Sequence, residues 1–225
     1  GILVMNNIKL KKLKYQKNQN KNRIIIISII IILILILILF KINYKSENSG
    51  NNKSNKTSNE IAEYILNISS YNITADVTIE SNKNTNKYIL KQEYSKDNNL
   101  SRQIVEEPEN IQGLTTTFEG DILKIEYSKI GLTKIYEDYK ELTENHLLLE
   151  TFLEDYKKSE NKKIEEKDDV IEMSLKLSDN NKYSMYKKLY IDKKTCKPLK
   201  LEVQDINQKI RIYILYNEIN INSKN

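Results

Sequence analysis

The sequence predicts an α+β fold in which a strongly curved antiparallel sheet of about ten strands carries helices on its concave face, preceded by one N-terminal transmembrane helix. Three observations predict it. Residues 24–40 form an unbroken apolar run behind a basic tail, runs of period-two hydrophobicity recur from residue 71 onward, and two stretches of helical spacing interrupt them.

The N-terminal region is strongly basic. Residues 1–23 carry seven cations (Lys9, Lys11, Lys12, Lys14, Lys17, Lys21 and Arg23) and no acid, while the whole chain has a net charge of only +5, so the remainder carries −2. A folded part so close to neutral lacks the basic face that nucleic acid requires, and nucleic-acid binding is excluded on that ground. The run IIIISIIIILILILILF has Ser28 as its one polar member and spans about 25 Å as a helix. Ile42 and Tyr44 extend it toward the roughly 30 Å of a hydrocarbon core, with Lys41 reaching the headgroups. Residues 24–44 therefore read as a transmembrane signal anchor. The seven cations ahead of it predict a cytoplasmic N-terminus and an extracytoplasmic C-terminal part. FKINYKSENSG follows the run where a cleavable signal peptide would need small residues, and no Cys stands there to accept a lipid. Residues 45–57, rich in Asn, Ser and Lys, form a polar linker with too little apolar surface to order itself.

The domain, residues 58–222, opens on Thr57-Ser-Asn-Glu60, the spacing of a capping box. Ile61, Ile65, Leu66 and Ile68 give the helix that follows an apolar stripe. From Tyr71 the period is two, with Ile73, Ala75, Val77 and Ile79 alternating with polar residues, as in a half-buried strand. Further strands are predicted over 87–95, 100–106, 114–119, 122–128 and 132–136, joined by short turn-rich segments that suit antiparallel hairpins. Pro108 stops the third, since it donates no ladder hydrogen bond. Thr143 to Tyr156 returns to helical spacing, with Leu147, Leu148, Phe152 and Tyr156 to one side. Four strands close the chain at 169–177, 184–192, 198–204 and 209–221.

The run Leu189-Tyr-Ile-Asp192-Lys-Lys-Thr195-Cys-Lys-Pro198-Leu-Lys-Leu-Glu202 resembles a hairpin of the LolA/LolB-like superfamily, in which Asp192 and Thr195 shape the turn and Pro198 opens the next strand. Leu100-Ser-Arg102-Gln, Glu107-Pro108, Gly113 and Phe118-Glu-Gly120-Asp121 are similar to that superfamily's third to fifth strands. Within it, Glu106-Glu-Pro-Glu-Asn followed by Gly113-Leu-Thr-Thr-Thr-Phe-Glu-Gly resembles the clostridial GerS and GerS-related spore germination (lipo)proteins. The resemblance covers roughly residues 58–222. It implies an unclosed LolA-like half-barrel, placed on the outer side of the forespore membrane. The role it implies is non-catalytic: binding and activating a cortex-modifying N-acetylmuramoyl-L-alanine amidase. The missing lipid-accepting Cys departs from the lipoprotein pattern, and the span offers a replacement anchor.

Residue chemistry agrees with a non-enzyme that needs no cofactor or metal. One His, one Cys and no G-x-S-x-G motif leave a triad only His146, and a Cys/His-rich metal site is ruled out by count. Cys196 lies behind Lys193 and Lys194, a setting that can activate a thiol but more often surrounds an incidental one. Glu165-Glu-Lys-Asp-Asp169 lacks the glycine and ligand spacing of a calcium loop and reads as a solvated turn. The 15 Tyr residues fall mostly on alternating strand positions, where packing accounts for them before glycan stacking does.

The candidate site is an apolar cavity or its lid: Leu147, Leu148, Phe152 and Tyr156 on the second helix, Phe118 and Ile125 on the sheet. A filled cavity is a core, and a gap would hold a lipid or acyl chain, the alternative function of a carrier or sensor module. A third reading is the sensor of an envelope-stress system, which the short basic tail disfavours. Strand exchange through the hairpins would give a homodimer.

Overall fold

The computed structural model describes residues 56–139, 146–177 and 183–224. The predicted span at 24–44 and most of the linker lie outside them. Among the described residues no helix is long and apolar enough to cross a membrane.

The first helix, α1 (Ser58–Leu66), begins where the capping box predicts. Glu60 N–H donates to Thr57 Oγ1 at 3.3 Å and Thr57 N–H to Glu60 Oε2 at 2.6 Å, so each side chain satisfies the other residue's orphan donor. Ile61, Ala62 and Ile65 are its buried face. Ile68, assigned to that stripe from sequence, instead starts the first strand, because the chain leaves the helix at Asn67.

Eleven strands follow: β1 (Ile68–Glu80), β2 (Thr85–Ser95), β3 (Leu100–Glu107), β4 (Thr115–Glu119), β5 (Ile122–Tyr127), β6 (Leu132–Tyr136), β7 (Lys162–Lys167), β8 (Val170–Lys176), β9 (Tyr186–Asp192), β10 (Pro198–Gln204) and β11 (Ile210–Ser223). They form one sheet in the order β6-β5-β4-β3-β2-β1-β11-β10-β9-β8-β7, with every pairing antiparallel. β6 and β7 are its two edges, so the sheet is unclosed. Two meanders meet at the long β1–β11 pairing. The second helix, α2 (Leu149–Lys158), joins them in sequence.

Two expectations need correction. Ten strands were predicted and the eleventh is β7, whose sequence KKIEEK has one apolar residue, Ile164, because a strand at the sheet edge has little to bury. It takes up Glu165, Glu166 and Lys167 of the acidic run, leaving Asp168 (φ 54°) and Asp169 as the turn into β8. The second helix begins at Leu149 rather than Thr143; His146–Leu148 form turns, and residues 143–145 lie outside the described residues.

Register places the core on one face. Tyr71, Tyr94, Ser101, Phe118 and Leu123 are successive partners from β1 to β5, and Ile79, Ile212, Val203, Lys187 and Leu175 run from β1 across β11 to β8. Both helices contribute buried residues to this core, α1 through Ile61 and Ile65 and α2 through Leu149, Phe152, Leu153 and Tyr156.

Candidate functional site

The site is the space between α2 and the inner face of the sheet. The helix offers Leu149, Phe152, Leu153 and Tyr156, spaced three and four apart, so they share one side. Phe152 is 0% exposed and its ring centroid lies 5.8 Å from that of Tyr156. Leu90, Ile171, Met173, Leu189 and Leu201 of the sheet belong to the same buried cluster. Leu148 is buried just before the helix, and Leu147 packs against the cluster while partly exposed. The described space is therefore occupied by the protein's own side chains.

Phe118 and Ile125 do not join it. Register puts both on the inner face, but they stand on β4 and β5, outside the buried cluster, and are only partly buried. Phe118 packs instead on Tyr139, with centroids 5.9 Å apart. The six residues proposed from sequence as one cavity or lid thus divide into four around the helix and two on the outlying wing.

Two ionisable side chains that the sequence reading missed, Glu150 and Lys187, help to tie α2 to the sheet. Glu150, the second residue of the helix, turns inward and is 2% exposed. The Ser101 hydroxyl on β3 donates to its Oε1 at 2.5 Å, and the Tyr71 hydroxyl on β1 donates to its Oε2. On the other flank Lys187 of β9, 0% exposed, donates to Asp155 Oδ2 at 2.6 Å. Gln92 Nε2 of β2 donates to the carbonyls of Gln103, through its side chain, and of Leu147, at 3.0 and 2.9 Å. Ser101 and Lys187 stand on strands five spacings apart, about 24 Å in a flat sheet. The helix between them is about 10 Å thick, so the sheet curves around it.

Electrostatics follow the burial. Desolvation raises the Glu150 carboxyl above its ordinary value, against the opposing hydrogen bonds from Ser101 and Tyr71. Burial, together with the charge of Glu150, raises the Tyr71 and Tyr216 phenols. Tyr94, half-buried beside Tyr71, is pushed up to about 12 by burial and by the charges of Glu150 and Glu154.

The other sequence candidates stay apart. His146 sits in the turn ahead of α2. Cys196 is buried in the β9–β10 turn at φ 56°, while Lys194 pairs with Asp169 at 2.6 Å and Lys193 with Glu166. In that turn Asp192 Oδ1 accepts from the Thr195 N–H at 2.6 Å and its hydroxyl at 2.8 Å, and Pro198 opens β10, as the motif predicts. Among the described residues no group of three or more His, Cys, Asp and Glu is placed to hold a metal ion. Lys187 was legible in one respect only: it is in phase with Leu189 and Ile191.

No curated protein matches the chain. Among solved structures, an uncharacterized conserved protein from Thermus thermophilus is similar at 12% identity and a TM-score of 0.50, over 76% of this chain and 90% of that one, which shows a shared fold. A chain in the structure of the complex between the CwlD amidase and the GerS lipoprotein from Clostridioides difficile matches at 22% identity and a TM-score of 0.47, over 74% and 97%. A LolA superfamily protein from Nitrosomonas europaea matches at 12% identity and a TM-score of 0.39, over 76% and 96%. A family model described as sporulation protein YdcC-like matches residues 20–225, nearly the whole chain from just ahead of the apolar run to its last residue, and the chain belongs to that family of YdcC-like sporulation proteins.

Proposed function

We propose that this chain is a membrane-anchored, non-enzymatic sporulation protein that binds and activates a cortex-modifying N-acetylmuramoyl-L-alanine amidase. Residues 24–44 hold it in the membrane with the N-terminus cytoplasmic and the domain outside. The observation that carries this reading is the filled space beneath α2: with Phe152, Leu149, Met173 and Leu189 all 0% exposed, that part of the described inner face has no place for an acyl chain, which favours a role for the exterior. Family membership supplies the sporulation context. The stretch Glu106–Gly120, on which the GerS resemblance rests, runs from β3 to the end of β4, in the same wing as edge strand β6. That edge bears exposed Ile135 and Tyr136, whereas the β7 edge meets α1 through the Ser58 hydroxyl and Glu166 at 2.5 Å. A partner adding a strand at β6 would gain main-chain hydrogen bonds and two apolar side chains.

The test uses the full chain in detergent micelles with purified amidases from the sporulating cell. Stoichiometric binding of one of them, together with faster release of stem peptide from cortex glycan, is expected. Failure to bind or stimulate any of them, with an acyl lipid co-purifying stoichiometrically, would replace this reading by the lipid-binding one.

A further inference from the structure

Glu150 carries an inference about how α2 is held. Its carboxylate is among the most buried charges of the described chain, and both its hydrogen-bond donors are neutral hydroxyls on the sheet. The titratable groups around it are Tyr71 of β1, Tyr94 of β2, Tyr216 of β11 and Glu154 one turn along α2, with His146 in the turn ahead. No Lys or Arg pairs with it among the described residues. Lys187, the buried cation of this face, is bound to Asp155 on the other flank of the helix.

A carboxylate in such a place has two states of different consequence. Neutral, it fits a low-dielectric site and keeps hydrogen bonds to both hydroxyls once one of them turns to accept the carboxyl O–H. Ionised, it is a desolvated anion without a countercharge, and the two hydroxyl donors and the helix N-terminus offset only part of that cost. The N-cap of the helix end that carries it is Leu148, whose side chain makes no capping bond, and the Gln92 amide at the Leu147 carbonyl ties the preceding turn to β2.

We propose that Glu150 is a proton-operated latch on α2: as the neutral acid it fastens the N-terminal end of the helix to β1 and β3, and as the anion it releases that end. Release uncovers Leu149 and Phe152 and the inner face of β1 to β3, apolar surface that is sealed in the closed form. The sign follows from linkage. Burial holds the closed-state carboxyl above its ordinary value, so the closed form binds the proton more tightly and opening releases it. Opening therefore grows about tenfold per pH unit between the ordinary glutamate value, about 4.3, and the raised one, and is level above it.

The test is hydrogen exchange of the amides of 149–158 in the full chain in micelles, from about pH 4 to about pH 8 and corrected for intrinsic exchange. The wild type is expected to show the tenfold-per-unit rise, and Glu150→Gln to stay at the wild-type low-pH level throughout. The variant keeps His146, so an equal rise in both would assign the transition elsewhere and overturn the proposal, as would a flat wild type. Should the variant fail to fold, a carboxyl-carbon NMR titration of Glu150 in the wild type decides: a midpoint above the ordinary value supports the latch, and one at or below it refutes it.

Discussion

Removing Asp155 should cost more than removing the lysine it faces. Lys187 is 0% exposed, on the inner face between register partners Val203 and Leu175, with its ammonium 2.6 Å from Asp155 Oδ2. Asp155→Ala takes away that carboxylate and leaves the ammonium, itself 0% exposed, without that countercharge. Breaking a buried pair from one side costs about 3 to 5 kcal/mol, because the desolvation of the remaining ion loses its compensation. Lys187→Met differs: the aspartate left behind has a side chain 14% exposed, water can reach it, and the methionine fills the vacated volume. That loss should be about 1 to 3 kcal/mol, and Asp155→Leu with Lys187→Met should recover most of it. At roughly 2 to 4 °C per kcal/mol for a domain of this size, Asp155→Ala lowers Tm by about 6 to 20 °C. Thermal unfolding of the full chain in micelles, followed by circular dichroism, reads all three variants. An Asp155→Ala cost under about 1 kcal/mol would refute the reasoning, since the ammonium would then have found water.

Three further outcomes are expected. Phe152→Ala should destabilise by about 3 to 5 kcal/mol in the same assay, against less than about 0.5 kcal/mol for Ile130→Ser, whose side chain is 70% exposed; equal effects would mean that α2 does not seal the core. Burial tends to raise Asp205, but the N–H groups of Lys209 and Asn207 and the Arg211 guanidinium outweigh it and hold the carboxyl below the ordinary aspartate value. Its stabilisation is thus complete above that ordinary value and lost as pH falls through the depressed one, so Asp205→Asn should flatten the acid limb of the Tm–pH curve, and an unchanged limb would exclude the role. For topology, Asn48→Cys in a Cys196→Ser background should react with an impermeant maleimide added outside intact cells; labelling only after lysis would reverse the proposed orientation.

What the sequence made legible was what neighbours in the chain decide. The Thr57–Glu60 cap, the Asp192–Thr195 turn and the alternation in β1 are each settled within a few residues, and each appears where it was read. β7 was missed because an edge strand in KKIEEK carries no alternation to detect. The site was half legible. Hydrophobicity marks Phe152 and Tyr156 as inward and marks Phe118 and Ile125 as inward too, but it does not say how far along a curved sheet they lie. Glu150 and Lys187 were hidden by their own polarity: each occupies a position whose direction is fixed by register or helix phase, while its side chain argues for solvent.

Those two polar contacts also explain why the apolar stripe alone is not enough. Leu149, Phe152, Leu153 and Tyr156 would adhere to an aliphatic inner face in several positions, since a slide of one turn, about 5.4 Å, exchanges one large side chain for another at little cost. The same slide would carry Glu150 away from Tyr71 and Ser101 and Asp155 away from Lys187, stranding a buried carboxyl and a buried ammonium at once. Adhesion therefore comes from the stripe and position from the two polar contacts. Because these lie on opposite flanks, losing the Glu150 contact leaves α2 attached through Lys187, so that the helix turns about one fixed end instead of leaving the sheet.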